Sequence, residues 1–126
     1  MAMTRREVPV PLDLTPTTYG DLTLLGVAGS IDATTATDFQ SYLNTTLRTR
    51  PQAVVLDLGL CVKLDQAGIG VLLNTAGLCR LQGCALALCR VPDHVREILT
   101  AERVDIPAYD TLSDATETLL YAAAWR

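Results

Sequence analysis

Few side chains in this sequence have the type and spacing to do chemistry. Asp57 and Asp65 flank one predicted loop, and a carboxylate pair does general acid and base work only when the two approach and one is held protonated. Asp57, at the end of an apolar run, is more simply read as a strand-end residue bonding to loop amides. The four cysteines, Cys61, Cys79, Cys84 and Cys89, contain no Cys-x-x-Cys pair, and the single histidine, His94, falls in the first turn of a separate short helix. Neither a zinc site nor a nucleophile with its base and orienting group is expected from that arrangement. The cysteines read as reduced, small, buried hydrophobes. The alternative is a thiol switch. Cys84 and Cys89 lie five apart on or beside one strand and point to opposite faces, so such a switch would draw on Cys61 or Cys79.

The stretch from Ala53 to Leu81 organises the chain. Ala53, Val54, Val55, Leu56 and Leu58 make an almost unbroken apolar run, which suits a strand covered on both faces. Beyond Leu64 the period changes, and Ile69, Leu72, Leu73, Ala76 and Cys79 recur at helical spacing. Asp65, Gln66, Ala67 and Gly68 join the two elements. Asp65 is placed as the helix N-cap and the next three residues are expected to face water. The first-turn amides of Gln66 to Gly68 would suit an anion, although no lysine or second glycine-rich arm completes a nucleotide cradle.

Around this stretch the remaining elements fall into order. Met1 to Val8 is expected to be a mobile lead-in, with one domain over residues 9–126. Val10, Leu12 and Leu14 alternate as an edge strand among prolines 9, 11 and 16, and Tyr19-Gly20-Asp21 turns it back into an antiparallel strand over Leu22 to Ile31. Gly26 and Gly29 weaken that strand or mark a bulge. Thr35-x-x-Asp38 has the form of a capping box for a helix to about Thr49. Gly83 ends the central helix, and Ala85 to Cys89 reads as an interior strand. Pro92, as the first helical residue, opens a helix to Ala101. Ile106 to Tyr109 is a last edge strand, and Thr111-x-x-Asp114 caps a terminal helix with Leu112, Ala115, Leu119 and Ala122 or Ala123 inward. The fold class is α/β: a mixed sheet of about five strands with about four helices packed against it.

The string Leu64-Asp65-Gln66-Ala67-Gly68-Ile69-Gly70-Val71-Leu72-Leu73, directly after Leu56-Asp57-Leu58, resembles the signature of the STAS family. In the bacterial anti-sigma factor antagonists of that family the motif reads Asp-Ser-Ser-Gly-Leu-Gly-Val-Leu, and the first serine is phosphorylated by an anti-sigma factor that is a serine kinase. Here Gln66 stands at the acceptor position and Ala67 at the second serine, while Asp65, Gly68 and Gly70 are kept. Gly29-Ser30-Ile31-Asp32 resembles the family's Gly-Glu-Leu-Asp. The resemblance runs from about Leu22 to Leu120 and implies a partner-binding tip at Asp65, Gln66, Ala67 and Gly68, with Asp32 beside it. Gln66 is neutral and carries no phosphate, so it copies the dephosphorylated, binding-competent surface and not the phosphorylated one. On this reading Gly68→Arg obstructs the partner and leaves the domain folded. The expected partner is an anti-sigma factor of the serine-kinase type. The alternatives are a scaffold module that associates with other STAS domains or with itself, and a redox or small-molecule sensor of the same fold.

Composition narrows the rest. With 126 residues and 49% hydrophobic content, the chain builds one core without staples, mostly from Leu, Val, Ile and Ala. A net charge of -4, with no basic cluster beyond Arg5-Arg6, argues against a nucleic-acid partner. No apolar stretch reaches the roughly 18 to 20 residues of a membrane span, and no leader follows the basic pair. A cytoplasmic regulator without a cofactor, a metal or catalysis is the expectation.

Overall fold

The computed structural model describes the backbone of residues 11–124 and the side chains of residues 11–119. The expected lead-in at Met1 to Val8, the place of Val10 and the facing of Ala122 and Ala123 lie outside the described residues. The elements are β1 (Asp13–Tyr19), β2 (Leu22–Ile31), α1 (Ala36–Arg48), β3 (Ala53–Leu64), α2 (Gln66–Gln82), β4 (Ala85–Cys89), α3 (Asp93–Ala101), β5 (Ala108–Tyr109) and α4 (Leu112–Ala124). The strands form one sheet in the order β1-β2-β3-β4-β5. Only β1 is antiparallel to its neighbour.

That order explains where the helices go. Each parallel strand is added beside the last, so crossovers of one hand set α1, α2 and α3 on the same face. There Phe39, Leu43, Ile69, Leu72, Val95 and Leu99 pack with Leu25, Val27, Val54, Leu56 and Leu58 of the sheet. α4 follows the last strand and covers part of the other face, where Ala115 and Leu119 meet Ala53, Val55, Ala87 and Cys89. β3 is therefore buried on both sides, with Val54, Val55, Leu56 and Leu58 each at most 1% exposed. This accounts for its unbroken apolar run.

Several expectations need correction. β1 begins at Asp13 and runs to Tyr19, because the chain at Pro11 crosses directly over Gly29, whose φ of 104° and missing Cβ admit the close approach. β3 does not end at Leu58 but continues to Leu64, paired there with β2 alone through two register irregularities. The capping box at Thr35 does not form. Thr35 is already helical in its backbone (φ −111°, ψ −12°), and its hydroxyl donates to Ser30 O at 2.8 Å and accepts the Asp32 amide at 3.0 Å. Pro92 lies outside α3 as its N-cap. β5 is only two residues long, because its pairing with β4 starts beyond Pro107, which supplies a carbonyl to Leu88 N at 2.8 Å but has no N–H.

Candidate functional site

Ile31 and Leu64 are the last paired residues of β2 and β3, so Asp32 and Asp65 leave the sheet side by side at the carboxyl ends of two parallel strands. The Asp65 amide donates to Ile31 O at 3.2 Å. Its extended backbone (φ −113°, ψ −170°) turns the carboxylate back over the start of α2, where Oδ1 accepts from Ala67 N at 3.0 Å and Gly68 N at 3.3 Å. This is the N-cap read from the sequence. It also removes the anion site, because two of the three first-turn amides are spent on the protein's own carboxylate.

Asp32 is held by its neighbours on the adjacent turn. Its Oδ1 accepts from the Thr34 hydroxyl at 2.7 Å and the Thr34 amide at 3.0 Å, and Lys63 Nζ stands 4.0 Å from Oδ2. The Thr34 hydroxyl, helped by the Thr34 amide and the Lys63 ammonium, pulls the Asp32 carboxyl below its ordinary range.

The four residues of the tip divide. Gln66 is exposed, Asp65 and Ala67 are partly exposed, and Gly68 is buried. A Cβ on Gly68 would stand 2.5 Å from Leu64 Cδ1 and 2.8 Å from both Ile31 Cγ2 and Ile31 O. Gly68 is thus the contact on which α2 closes against the strand ends. Any side chain there must push into Leu64 and the Ile31 backbone, so an arginine would strain the domain's own packing as well as stand in a partner's way, and the expectation that it leaves the domain undisturbed does not fit this geometry.

The outward face of α2 continues from Gln66 through Gly70, Leu73, Asn74 and Leu81, all exposed. Leu73 is 48% and Leu81 86% exposed, and the only charged residue of the helix is Arg80. Sequence periodicity placed Leu73 inward. The buried face is instead Gly68, Ile69, Val71, Leu72, Thr75 and Cys79, with the fully buried Thr75 hydroxyl accepting Gln40 Nε2 at 3.4 Å. Two large leucines standing in water on one helix have the character of a surface that something covers.

The other candidate groups do not converge. Asp57 is not a strand-end residue bonding to a loop: it lies within β3, where it accepts the amide of Gly59 of the same strand at 2.9 Å and a forked pair from Arg90, Nε to Oδ1 at 3.0 Å and Nη2 to Oδ2 at 2.9 Å. Asp57 and Asp65 share no partner. The Arg90 fork was not legible because its sequence signal is a lone arginine after a strand. His94 Nε2 lies 3.0 Å from Val62 O. All four cysteines are buried, with burial pushing the Cys61 thiol up and the Cys89 thiol up to about 11. Among the described residues, no three His, Cys, Asp or Glu side chains are placed to share a metal ion, and no helix is long and apolar enough to cross a membrane.

The fold recurs in solved structures. An anti-sigma factor antagonist from Mycobacterium paratuberculosis superposes with a TM-score of 0.79 at 21% identity, over 86% of this chain and 94% of that one. An RsbS variant from Moorella thermoacetica gives 0.77 at 17% identity, over 88% and 97%. The anti-sigma factor antagonist SpoIIAA in its unphosphorylated form gives 0.75 at 12% identity, over 86% and 96%. At these identities the likeness is one of fold. No curated protein matches the sequence. The model of the STAS domain matches residues 13–115, which include both strand ends, the capped tip and all of α2, and the chain is accordingly a member of the STAS domain family.

Proposed function

We propose that this protein is a regulator of the anti-sigma factor antagonist kind, which docks on an anti-sigma factor of the serine-kinase type through Asp65, Gln66 and Ala67, with Asp32 alongside. The observation that carries the reading is Gln66, exposed as the first residue of a capped helix; the motif resemblance aligns it with the serine that is phosphorylated in the antagonists. A phosphoryl group there would add about -1.5 to -2 charges and so break a packed contact by repulsion and desolvation. A carboxamide cannot accept one. The surface is therefore fixed in its docking form, and Gly68 supports it from beneath without touching the partner. The solved antagonists of the same fold support the same reading, as does the outward face of α2, which carries no charge before Arg80 in its last turn.

The test uses the full chain and each purified serine-kinase-type anti-sigma factor of the source organism. Calorimetric titration should show binding that ATP and time do not abolish, with no phosphate on the wild-type tip. Gln66→Ser should bind equally at first and lose affinity on incubation with kinase and ATP. Failure of every such kinase to bind the wild type, or phosphate appearing at residues 65–68 of it, overturns the reading.

A further inference from the structure

We propose that Cys79 and Cys84 form an oxidisable dithiol, which hydrogen peroxide converts to an intramolecular disulfide between the end of α2 and the start of β4. The pairing follows from how the helix ends. Gly83 takes the left-handed conformation (φ 72°), its amide donates to Arg80 O at 3.3 Å, and the Cys84 amide donates to Cys79 O at 2.8 Å. These are the two bonds of a Schellman ending, which brings together the side chains three residues before the cap and just after the glycine, ordinarily as an apolar contact. Here both are cysteines. The Cys84 thiol donates to Ala85 O at 3.6 Å, and the neighbouring Cys84 thiol is the largest cause that pushes the Cys79 thiol up.

The other two cysteines are placed elsewhere. Cys61 donates to Lys63 O at 3.4 Å near the tip, and Cys89 lies on the α4 face of the sheet. The sequence therefore named one member of the pair, Cys79, and missed the other. Cys79 and Cys84 are 1% and 6% exposed, but both line an open cavity of about 160 Å³ with Arg80, Leu86 and Ile106. An oxidant little larger than water suits that opening.

The chemistry balances in two steps. One thiol, as thiolate, attacks peroxide; an S–O bond forms, the O–O bond breaks, and water leaves a sulfenic acid. The second thiol then attacks that sulfur, an S–S bond forms, the S–O bond breaks and a second water is released. Two thiols are oxidised by two electrons and one peroxide is reduced. The neighbouring Cys84 thiol and burial hold the Cys79 thiol protonated, so the rate rises with pH.

The test does not depend on any partner. The full chain is treated with hydrogen peroxide, unfolded, alkylated and digested with trypsin, which cuts after Arg80 between the two cysteines. Two of the four thiols should escape alkylation, and the peptide of residues 64–80 should be joined to that of residues 81–90 by a bond that dithiothreitol breaks; the second peptide holds both Cys84 and Cys89, so fragmentation between them in the mass spectrometer should place the bond on Cys84 and the alkyl group on Cys89. Cys61→Ala and Cys89→Ala should keep this cross-link, and Cys84→Ser should lose it. Four alkylatable thiols after treatment, or a bond to Cys61 or Cys89 in the wild-type map, overturns the proposal whether or not the variants fold.

Discussion

The carbonyl oxygen of Ile31 accepts the amide of Asp65, and the same oxygen lies 2.8 Å from where a side-chain carbon on Gly68 would stand. One backbone group thus holds the strand ends together and sets how closely α2 can approach them. The tip owes its shape to a contact that admits no side chain, and this has consequences of opposite sign along one helix.

Gly68→Ala should destabilise the domain by roughly 1–3 kcal/mol, the range for overpacking a filled site. Gly70→Ala, two residues on, meets nothing within 4 Å and should stabilise by roughly 0.5–1 kcal/mol, the helix preference of alanine over glycine. Urea unfolding of both variants checks the pair. The same sign for both would contradict the packing role of Gly68.

Asp65→Ala removes the acceptor of the Ala67 and Gly68 amides and should cost about 1 kcal/mol, within the usual range for an N-cap. Asp65→Asn should recover most of it, because an amide oxygen accepts the same bonds. Equal losses for the two variants in thermal unfolding would mean that charge near the helix start, not capping, is what Asp65 supplies.

The parts of the fold legible in the sequence were those written in local code. The limits of β2 and β4, the cap at Asp65 and the left-handed Gly83 each rest on residues within a few positions of one another. What escaped was set by distant chain. β3 runs past Gly59 and Lys63, poor strand residues, because β2 is there to pair with it. Thr35 looked like a cap, but its hydroxyl serves the end of β2. Leu73 fits the inward period as well as Thr75 does, and only the position of Gln40 on α1 shows that the polar residue goes inside. Gly68 is the instructive case: its presence in the motif was legible, but its burial follows from Ile31, on another strand.

Asp32 gives a pH-dependent expectation. Its folded-state carboxyl titrates below its ordinary value, chiefly through the Thr34 hydroxyl, so the stability it contributes is present above the ordinary carboxylate range and is lost as pH falls through the folded value. Thr34→Val removes the largest cause and should move the Asp32 titration upward. Carbon-detected NMR titration of the side-chain carboxyl reads this directly. An unmoved Asp32 would assign the depression to Lys63 and the backbone amides instead.

The outward leucines of α2 test how far the proposed docking surface extends from Gln66. A standard interface buries about 800 Å² on each partner, a disc of about 16 Å radius. At 1.5 Å per residue Leu73 lies about 10 Å along the helix from Gln66 and Leu81 about 22 Å, so a contact centred on the tip includes the first and not the second. Leu73→Glu should therefore weaken binding to the kinase-type partner about tenfold or more, while Leu81→Glu changes it less than about twofold, since a charge is costly only where the interface excludes water. Both side chains are exposed in the isolated chain, at 48% and 86%, so neither change should lower the unfolding temperature appreciably. Calorimetric titration separates the cases. If Leu81→Glu is the damaging change, the contact is centred on the far end of α2, and Gln66 is the first residue of a capped helix that no partner reads.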